Sequence, residues 1–190
     1  MDSQQVATAY ALSTSIGLRA FVTLALASLA MHFGYLHPSP QFAWLGSDGA
    51  TIVLSALALL ELASEKIPTV DHFMHAIHFA IKPLAAALLI GSTIPGGNQT
   101  ATSLAMGLAA LNAIGVHTAS AGLRAASTST TLGAANPFIS IVEDFLAVIG
   151  IVLTFLAPFL AAGFAIAVTV TLIWLVRRLY LALKHQRVRA

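Results

Sequence analysis

The chain has 190 residues, of which 58% are hydrophobic and 8% are charged, whereas about 25% of the residues of an ordinary soluble domain are charged. A soluble fold of this composition would lack the polar side chains needed to cover its surface. This excludes a soluble enzyme domain, a disordered chain and a nucleic-acid-binding module, although the formal net charge is +2. Several apolar runs exceed the ~18 residues that span a bilayer, so the composition predicts an all-α, polytopic membrane protein.

The apolar runs predict six transmembrane helices. The first four cover residues 6–33, 50–67, 71–90 and 102–126. The last apolar stretch, 137–180, is too long for a single crossing of ~30 Å at 1.5 Å per residue. We therefore expect two helices there, joined by a tight hairpin near 157–163, where Pro158 and Gly163 would interrupt the helix.

Positive charge predicts the orientation in the membrane. Five basic residues, Arg177, Arg178, Lys184, Arg187 and Arg189, lie at the C-terminal end, and basic tails of this kind are typical of the cytoplasmic face. The predicted outer segments 34–49, 92–101 and 157–163 contain no Lys or Arg. Six spans would then place both termini in the cytoplasm.

A short internal similarity suggests two halves. Ser13–Ala20 and Thr118–Ala125 share a Gly-Leu-Arg-Ala sequence, and each copy opens a group of three predicted spans. A duplicated three-span unit inserts in opposite orientations, which is the inverted-repeat plan of many small transporters. We therefore expect one integral membrane domain built from two halves, residues 1–95 and 96–190.

Charged and polar side chains recur inside the predicted spans, where a charge costs about 2.5–3.5 kcal/mol at the span centre on insertion scales. Arg19 lies near the middle of the first span. The others are Glu61, Glu65, Lys66, Asp71, His75, His78, Lys82, His117, Arg124, Asn136, Ser140, Glu143 and Asp144. Lipid cannot solvate such groups, so they must face the bundle interior.

Helical spacing places many of these side chains on shared faces. Asp71, His75, His78 and Lys82 follow one another at i, i+4, i+7 and i+11, which forms one narrow stripe. Acidic and basic groups are present in similar numbers. We therefore expect a polar bowl that opens to the cytoplasm and is closed on the outer side by apolar packing.

Several of these residues have a structural alternative. Arg19 and Arg124 could each bind a carboxylate and hold the two halves together. Glu65 and Lys66 could be interfacial residues at a helix end. Asn136-Pro137 fits a helix start as well as an unwound, ion-coordinating segment.

The histidines allow two chemistries. His75 and His78 suit proton transfer, since the unperturbed pKa of histidine is about 6.5. Asp71, His75 and His78 are weak candidates for a metal site, because a tetrahedral site needs a further ligand. The chain has no cysteine, which excludes thiolate ligands, and no cofactor is expected.

The run from Glu61 to Asp71, Glu-Leu-Ala-Ser-Glu-Lys-Ile-Pro-Thr-Val-Asp, resembles the signature of the DUF4126 family of bacterial membrane proteins. The resemblance continues in Gly17–Ala20, in Lys82-Pro83 and in a second-half pattern with His117, Arg124, Asn136-Pro, Ser140 and Glu143-Asp144. Glu65, His75 and Lys82 stand where the family usually has Asp, Asp and Arg. The resemblance implies a bacterial inner-membrane protein whose function is unassigned.

Three functions fit these patterns. A small transporter or channel, dimeric and proton-coupled, would use the intramembrane charges to move an ion or solute. A membrane accessory or scaffold protein would use them for packing alone. A membrane-embedded enzyme acting on a lipid would use Asp71, His75 and His78. The lipid bilayer is the expected partner in every case, and a nucleic acid in none.

Overall fold

The computed structural model describes residues 2–64, 68–94 and 98–189, with the backbone alone for 68–76 and 183–189. Every regular element in these ranges is helical. The α-helices are α1 (Ser3–Leu18), α2 (Ala20–His32), α3 (Asp48–Ser64), α4 (Pro68–Thr93), α5 (Gln99–Thr131), α6 (Asn136–Leu156) and α7 (Pro158–Arg189), and a short 3₁₀ helix covers Pro40–Gly46. This confirms the all-α class.

Local sequence explains where several helices begin and end. Asp2 and Gln5 form a capping box at the start of α1, and the side chain of Asn98 caps α5. Proline at N1 or N2 opens α6, and Pro158 is the first residue of α7. The α6–α7 junction is therefore the single residue Ala157, and Gly163, which we expected to help break the helix, lies inside α7.

Helix length and hydropathy support a membrane protein. In the described ranges, three helices are long and apolar enough to cross a bilayer: α5, α6 and α7 as far as Ala182. The 3₁₀ helix and α3, which are bent by 61° relative to each other, count as a fourth if they are taken together. Ala20–His32 and Ile77–Thr93 are apolar but shorter. Three or four spans are thus supported, compared with the six that the sequence predicts.

The predicted first span is two helices. Arg19 separates α1 from α2 and has an extended backbone, with φ −136° and ψ 101°. The two helices run in opposite directions. The α1 helix is parallel to α7, since Ala11 packs with Ala161 and Ala165 and, one to two turns on, Leu18 packs with Val168 and Leu172.

The α2 helix returns towards the start of α1. Its first residues contact Glu61, near the end of α3, and its later residue Ser28 contacts Thr51, near the start of α3. Asp2, at the start of α1, and Leu36, after α2, line one cavity of about 380 Å³. Together α1 and α2 therefore form a re-entrant hairpin with Arg19 at its tip.

This hairpin corrects two expectations. A single span over residues 6–33 is wrong, because an apolar run does not reveal a reversal that is stabilised by distant side chains. The termini also lie at opposite ends of the bundle, since Pro158 shares the 380 Å³ cavity with Asp2 and α7 then extends for 32 residues. Two cytoplasmic termini do not fit this arrangement.

The main apolar core packs against both helices of the hairpin, between its tip at Arg19 and its open end. It includes Leu12 and Ile16 of α1, Leu24 of α2, and Leu89 and Ile90 of α4. These side chains are all less than a tenth exposed. The tip at Arg19 therefore points away from this core and towards the end of the bundle where α6 begins.

The hairpin predicts which residues share a side of the membrane. Because the chain lacks cysteine, the single variants Gln4→Cys, Tyr35→Cys and Ser129→Cys can each be labelled with a membrane-impermeant maleimide. We expect Gln4→Cys and Tyr35→Cys to react from one side and Ser129→Cys from the other. Labelling of positions 4 and 35 from opposite sides would show that residues 6–33 cross the membrane.

Candidate functional site

The helix break at Arg19 leaves two sets of backbone groups without helical partners, and charged side chains from other helices bind both. At the start of α2, the carboxylate of Glu61 accepts hydrogen bonds from three backbone amides. Ala20 N donates to Oε1 at 3.0 Å, and Phe21 N and Val22 N donate to Oε2 at 2.9 and 3.0 Å. The side chain of Glu61 is 0% exposed. A carboxylate is favoured here because the N-terminus of a helix carries partial positive charge.

The end of α1 has the complementary arrangement. Lys82 Nζ donates to the carbonyl oxygens of Gly17 and Leu18 at 2.9 and 2.8 Å. A cation is favoured at this position because the C-terminus of a helix carries partial negative charge. The two half-helix ends are thus bound by side chains of opposite charge, one from α3 and one from α4.

Arg19 itself reaches across to α6. Its Nη2 donates to the carbonyl oxygen and the Oγ of Ser140 at 3.0 and 2.9 Å, and lies 3.4 Å from Oε2 of Glu143. Its Nε donates to Oδ1 of Asp144. The re-entrant hairpin is therefore attached at its tip to the first half of α6.

A second arginine shares the same carboxylate. Arg124 of α5 donates from Nη2 to Oε2 of Glu143, and the Oγ of Ser120 donates to Oε1. Both side chains lie on one face of α5, since positions i and i+4 are neighbours on a helix. Glu143 thus joins Arg19 to Arg124.

Two histidines lie beside the α1–α2 break. His117 Nδ1 is 3.0 Å from Lys82 Nζ, and an ammonium group can only donate, so Nδ1 accepts and the ring proton is assigned to Nε2. His78 Nε2 is 3.4 Å from Oε1 of Glu61. The two imidazole rings are 6.3 Å apart between centroids and almost perpendicular.

We call six charged residues the central charge network: Arg19, Lys82, Arg124, Glu61, Glu143 and Asp144. It contains three cations and three anions, so the net charge of these six residues is zero. Five of the six are 5% exposed or less, whereas the Asp144 side chain is 23% exposed. Asp144 is therefore the most exposed of the six side chains.

The structure brings together most of the residues that the sequence singles out. Arg19, Glu61, His78, Lys82, His117, Arg124, Ser140, Glu143 and Asp144 all belong to or contact the network. Asn136 lies apart, at the start of α6, and donates to Thr128. Glu65 and Lys66 lie outside the described residues, and so do the side chains of Asp71 and His75.

The metal interpretation gains no support from the described residues. They contain no group of three or more potential His, Asp or Glu ligands. His78, the one described member of the candidate triad, faces Glu61. The candidate site with Asp71 and His75 stays a prediction from the sequence.

Sequence reasoning missed the backbone part of the site. Gly17 permits the close approach of α1 to α5, since a Cβ at this position would lie 2.6 Å from the Cβ of Val116. The equivalent Gly122 has its nearest neighbour, Val176, at 3.5 Å. Arg124 also lies within a continuous helix, whereas Arg19 lies at a break. The two similar sequence segments therefore have different structures, and the inverted repeat stays a prediction.

The fold and its site define an all-helical protein with membrane-like apolar helices and a buried charge network. Residues 6–178 match the model of the family described as Domain of unknown function (DUF4126). The chain belongs to this family, as the resemblance in its sequence predicted. No curated protein and no solved structure shows significant similarity to the chain.

The cap formed by Glu61 predicts a stability effect. In Glu61→Gln one acceptor oxygen is replaced by an NH2 group, which donates and cannot accept, so at least one buried N–H of α2 loses its partner. We expect a loss of about 1–3 kcal/mol, measured as a lower unfolding temperature in detergent. Asp48→Asn is the matched control, because the Asp48 side chain is 85% exposed. Equal unfolding temperatures for the two variants would contradict the capping role.

Proposed function

We propose that the protein is a bacterial inner-membrane transporter or channel for a small ion or solute, with proton movement coupled to the central charge network. The observation that carries this proposal is the helix break at Arg19, whose two ends are bound by Glu61 and Lys82. Non-helical backbone at membrane depth is tolerated where it is buried in protein or lines a water-filled cavity. Transporters build binding sites from such discontinuous helices.

The distribution of polar and apolar groups supports access from one side. The apolar core, which includes Leu12, Leu24 and Leu89, separates the break from the end of the bundle where α1 begins. On the other side of the break, Asp144 is partly exposed. This distribution supports the proposal of a pathway that is open on one side and closed on the other.

Charge indicates which side is the cytoplasm. The segments 2–18 and 33–48, at the end of the bundle where α1 begins, contain no Lys or Arg. The opposite end carries the basic residues of α7, and Arg178 lies 5.2 Å from the ring centroid of Trp174, a pair suited to the membrane interface. We therefore propose a cytoplasmic C-terminus, an N-terminus on the outer face, and a network that opens to the cytoplasm.

A scaffold function is the second candidate. The balance of three cations against three anions, together with the binding of both half-helix ends, would be needed even if the network only specified packing. The homodimer and the two-half organisation predicted from the sequence would suit either function, and both stay predictions.

Proton flux tests the transport proposal. In proteoliposomes with an imposed pH gradient, we expect the wild-type protein to conduct protons and Glu143→Gln to lose at least nine-tenths of that flux, because the carboxylate between the two arginines is removed. Glu143 is a better target than Glu61, which also caps α2. Asp48→Asn should conduct like the wild type. Undiminished flux in folded Glu143→Gln, or no flux in the wild type, would contradict the proposal.

A paired substitution separates transport from packing. Arg19→Met leaves Glu143 and Asp144 short of a cation, and we expect a loss of about 3–5 kcal/mol of stability. Adding Asp144→Asn should restore part of it, because one unpaired charge is removed, but should not restore flux. Thermal unfolding and flux are measured on the same preparations. A double variant that regains both would favour the scaffold function.

A further inference from the structure

We propose that a groove between α1 and α5 binds a neutral, apolar alcohol, whose hydroxyl group donates a hydrogen bond to Oδ1 of Asn112. The groove has a volume of about 340 Å³ and is lined by residues of these two helices. We call it the α1–α5 groove. None of the six residues of the central charge network lines it, so the inference goes beyond the proposed transport function and does not depend on it.

The walls of the α1–α5 groove suit a hydrocarbon chain. They include Val6 and Ala9 of α1 and Leu104 and Leu108 of α5. The two leucines are 64% and 67% exposed, on a helix that is long and apolar enough to cross a bilayer. The groove is therefore open to lipid. The described residues that line it carry no charge, so a charged ligand would lose its hydration there without gaining a counter-ion.

The α1–α5 groove is about as deep as one leaflet of a bilayer. Its lining on α5 extends from Ala101 to Asn112. This length corresponds to ~17 Å at 1.5 Å per residue, which is about half of the ~30 Å hydrocarbon core. At the end marked by Asn112, the groove is also lined by Ser13 of α1, which is 1% exposed. An apolar groove thus ends at two polar side chains.

Hydrogen bonds to α1 fix the orientation of the Asn112 amide. Its Nδ2 donates to Oγ of Ser13 at 2.8 Å and to Oγ1 of Thr14 at 2.9 Å. Both hydroxyl groups donate their own hydrogen to the carbonyl oxygen of Tyr10, at 3.0 and 2.9 Å. They can therefore only accept from Asn112, which assigns the nitrogen and the oxygen of the amide. Both hydrogens of Nδ2 are in use.

The amide oxygen of Asn112 is left as an acceptor. Within the described part of the chain, no group donates a hydrogen bond to Oδ1. An amide oxygen without a donor is costly in hydrocarbon, and the acyl chains of lipids supply no donor. A ligand that completes this end of the groove must donate one hydrogen bond, carry no charge and be otherwise apolar. This is the chemistry of a long-chain alcohol.

A second copy of the chain fits the α1–α5 groove less well than an alcohol does. Asparagine side chains can join membrane helices by hydrogen bonds between them. Here each Asn112 has already given both of its Nδ2 hydrogens to Ser13 and Thr14. A symmetric pair of Asn112 side chains would therefore bring two acceptors together without a donor.

The test is a binding measurement by NMR on the full chain in detergent micelles. Asparagine and tyrosine are each labelled with carbon-13, because the chain has only three residues of each type. The Cγ signal of Asn112 reports hydrogen bonding to Oδ1. The ring of Tyr10, which lines the groove, reports occupancy by any chain. The internal controls are the labelled residues outside the described lining, Asn98, Asn136, Tyr35 and Tyr180.

The probes are decan-1-ol and 1-methoxydecane, an ether that keeps the apolar chain and cannot donate a hydrogen bond. We expect decan-1-ol to shift the signals of both Asn112 and Tyr10, and to leave the four controls unchanged. We expect 1-methoxydecane to shift Tyr10 without shifting Asn112. It should bind about fivefold more weakly, which is the typical effect of one missing neutral hydrogen bond.

Two substitutions separate the hydrogen bond from the apolar walls. Asn112→Leu should bind both probes equally, as read from Tyr10. It leaves no donor without a partner, since the hydroxyls of Ser13 and Thr14 still bind the carbonyl oxygen of Tyr10. Leu108→Trp should weaken binding of decan-1-ol at least fivefold, because it narrows the groove. Leu111→Trp is the matched control, since Leu111 is also 67% exposed and lies outside the described lining.

Other outcomes would overturn the inference. Equal affinity of the wild-type protein for decan-1-ol and 1-methoxydecane would show that the groove selects hydrocarbon alone. An equal shift of Asn112 with methanol would show that no apolar chain is needed. A shift of Asn112 that grows with protein concentration, without any probe, would show that a second copy supplies the donor. No shift of either reporter with either probe would exclude the site. The wild-type comparison decides the question even if a variant fails to fold.

Discussion

The central constraint in this structure is that a helix interrupted inside an apolar bundle must find partners for its free backbone groups. Each unsatisfied N–H or C=O costs several kcal/mol where water is absent. Here the break at Arg19 is stabilised by a carboxylate at one half-helix end and an ammonium at the other. Glu61 and Lys82 come from different helices, so the reversal of the chain depends on tertiary structure.

The rest of the charge network follows from this constraint. Glu61 and Lys82 bind the two helix ends, so the side chain of Arg19 is not needed there. Arg19 instead binds Asp144 and Glu143 of α6. Arg124 then completes the balance by binding Glu143. Among the described residues, the central charge network holds three cations and three anions. Equal numbers of opposite charges can be buried together, and the addition of a single proton or a single ion changes the net charge of these six residues. This sensitivity of the net charge to one proton or one ion connects the packing of the site with its proposed function.

The sequence was sufficient to predict the class of protein and most members of the network. Composition and run length identify apolar helices, and a charged residue in an apolar run must face the interior, so Arg19, Glu61 and Glu143 could be found without a structure. The reversal of the chain at Arg19 could not be predicted, because residues 6–33 form one uninterrupted apolar run. The groups that stabilise the break lie dozens of residues away in the sequence. The pairing of charged side chains between helices could not be predicted either. Helical spacing shows which side chains share a face, but it does not show which other helix packs against that face.

The re-entrant hairpin is tested most directly by a distance. Spin labels at Gln4→Cys and Tyr35→Cys would be about 46 Å apart if the 31 intervening steps formed one helix at 1.5 Å per residue. In the structure the two ends of the hairpin line one cavity of about 380 Å³. We therefore predict a single, narrow distance distribution centred well below half of the straight-helix value, measured by pulsed electron paramagnetic resonance in nanodiscs. A distribution centred near the straight-helix value would contradict the hairpin and the account built on it.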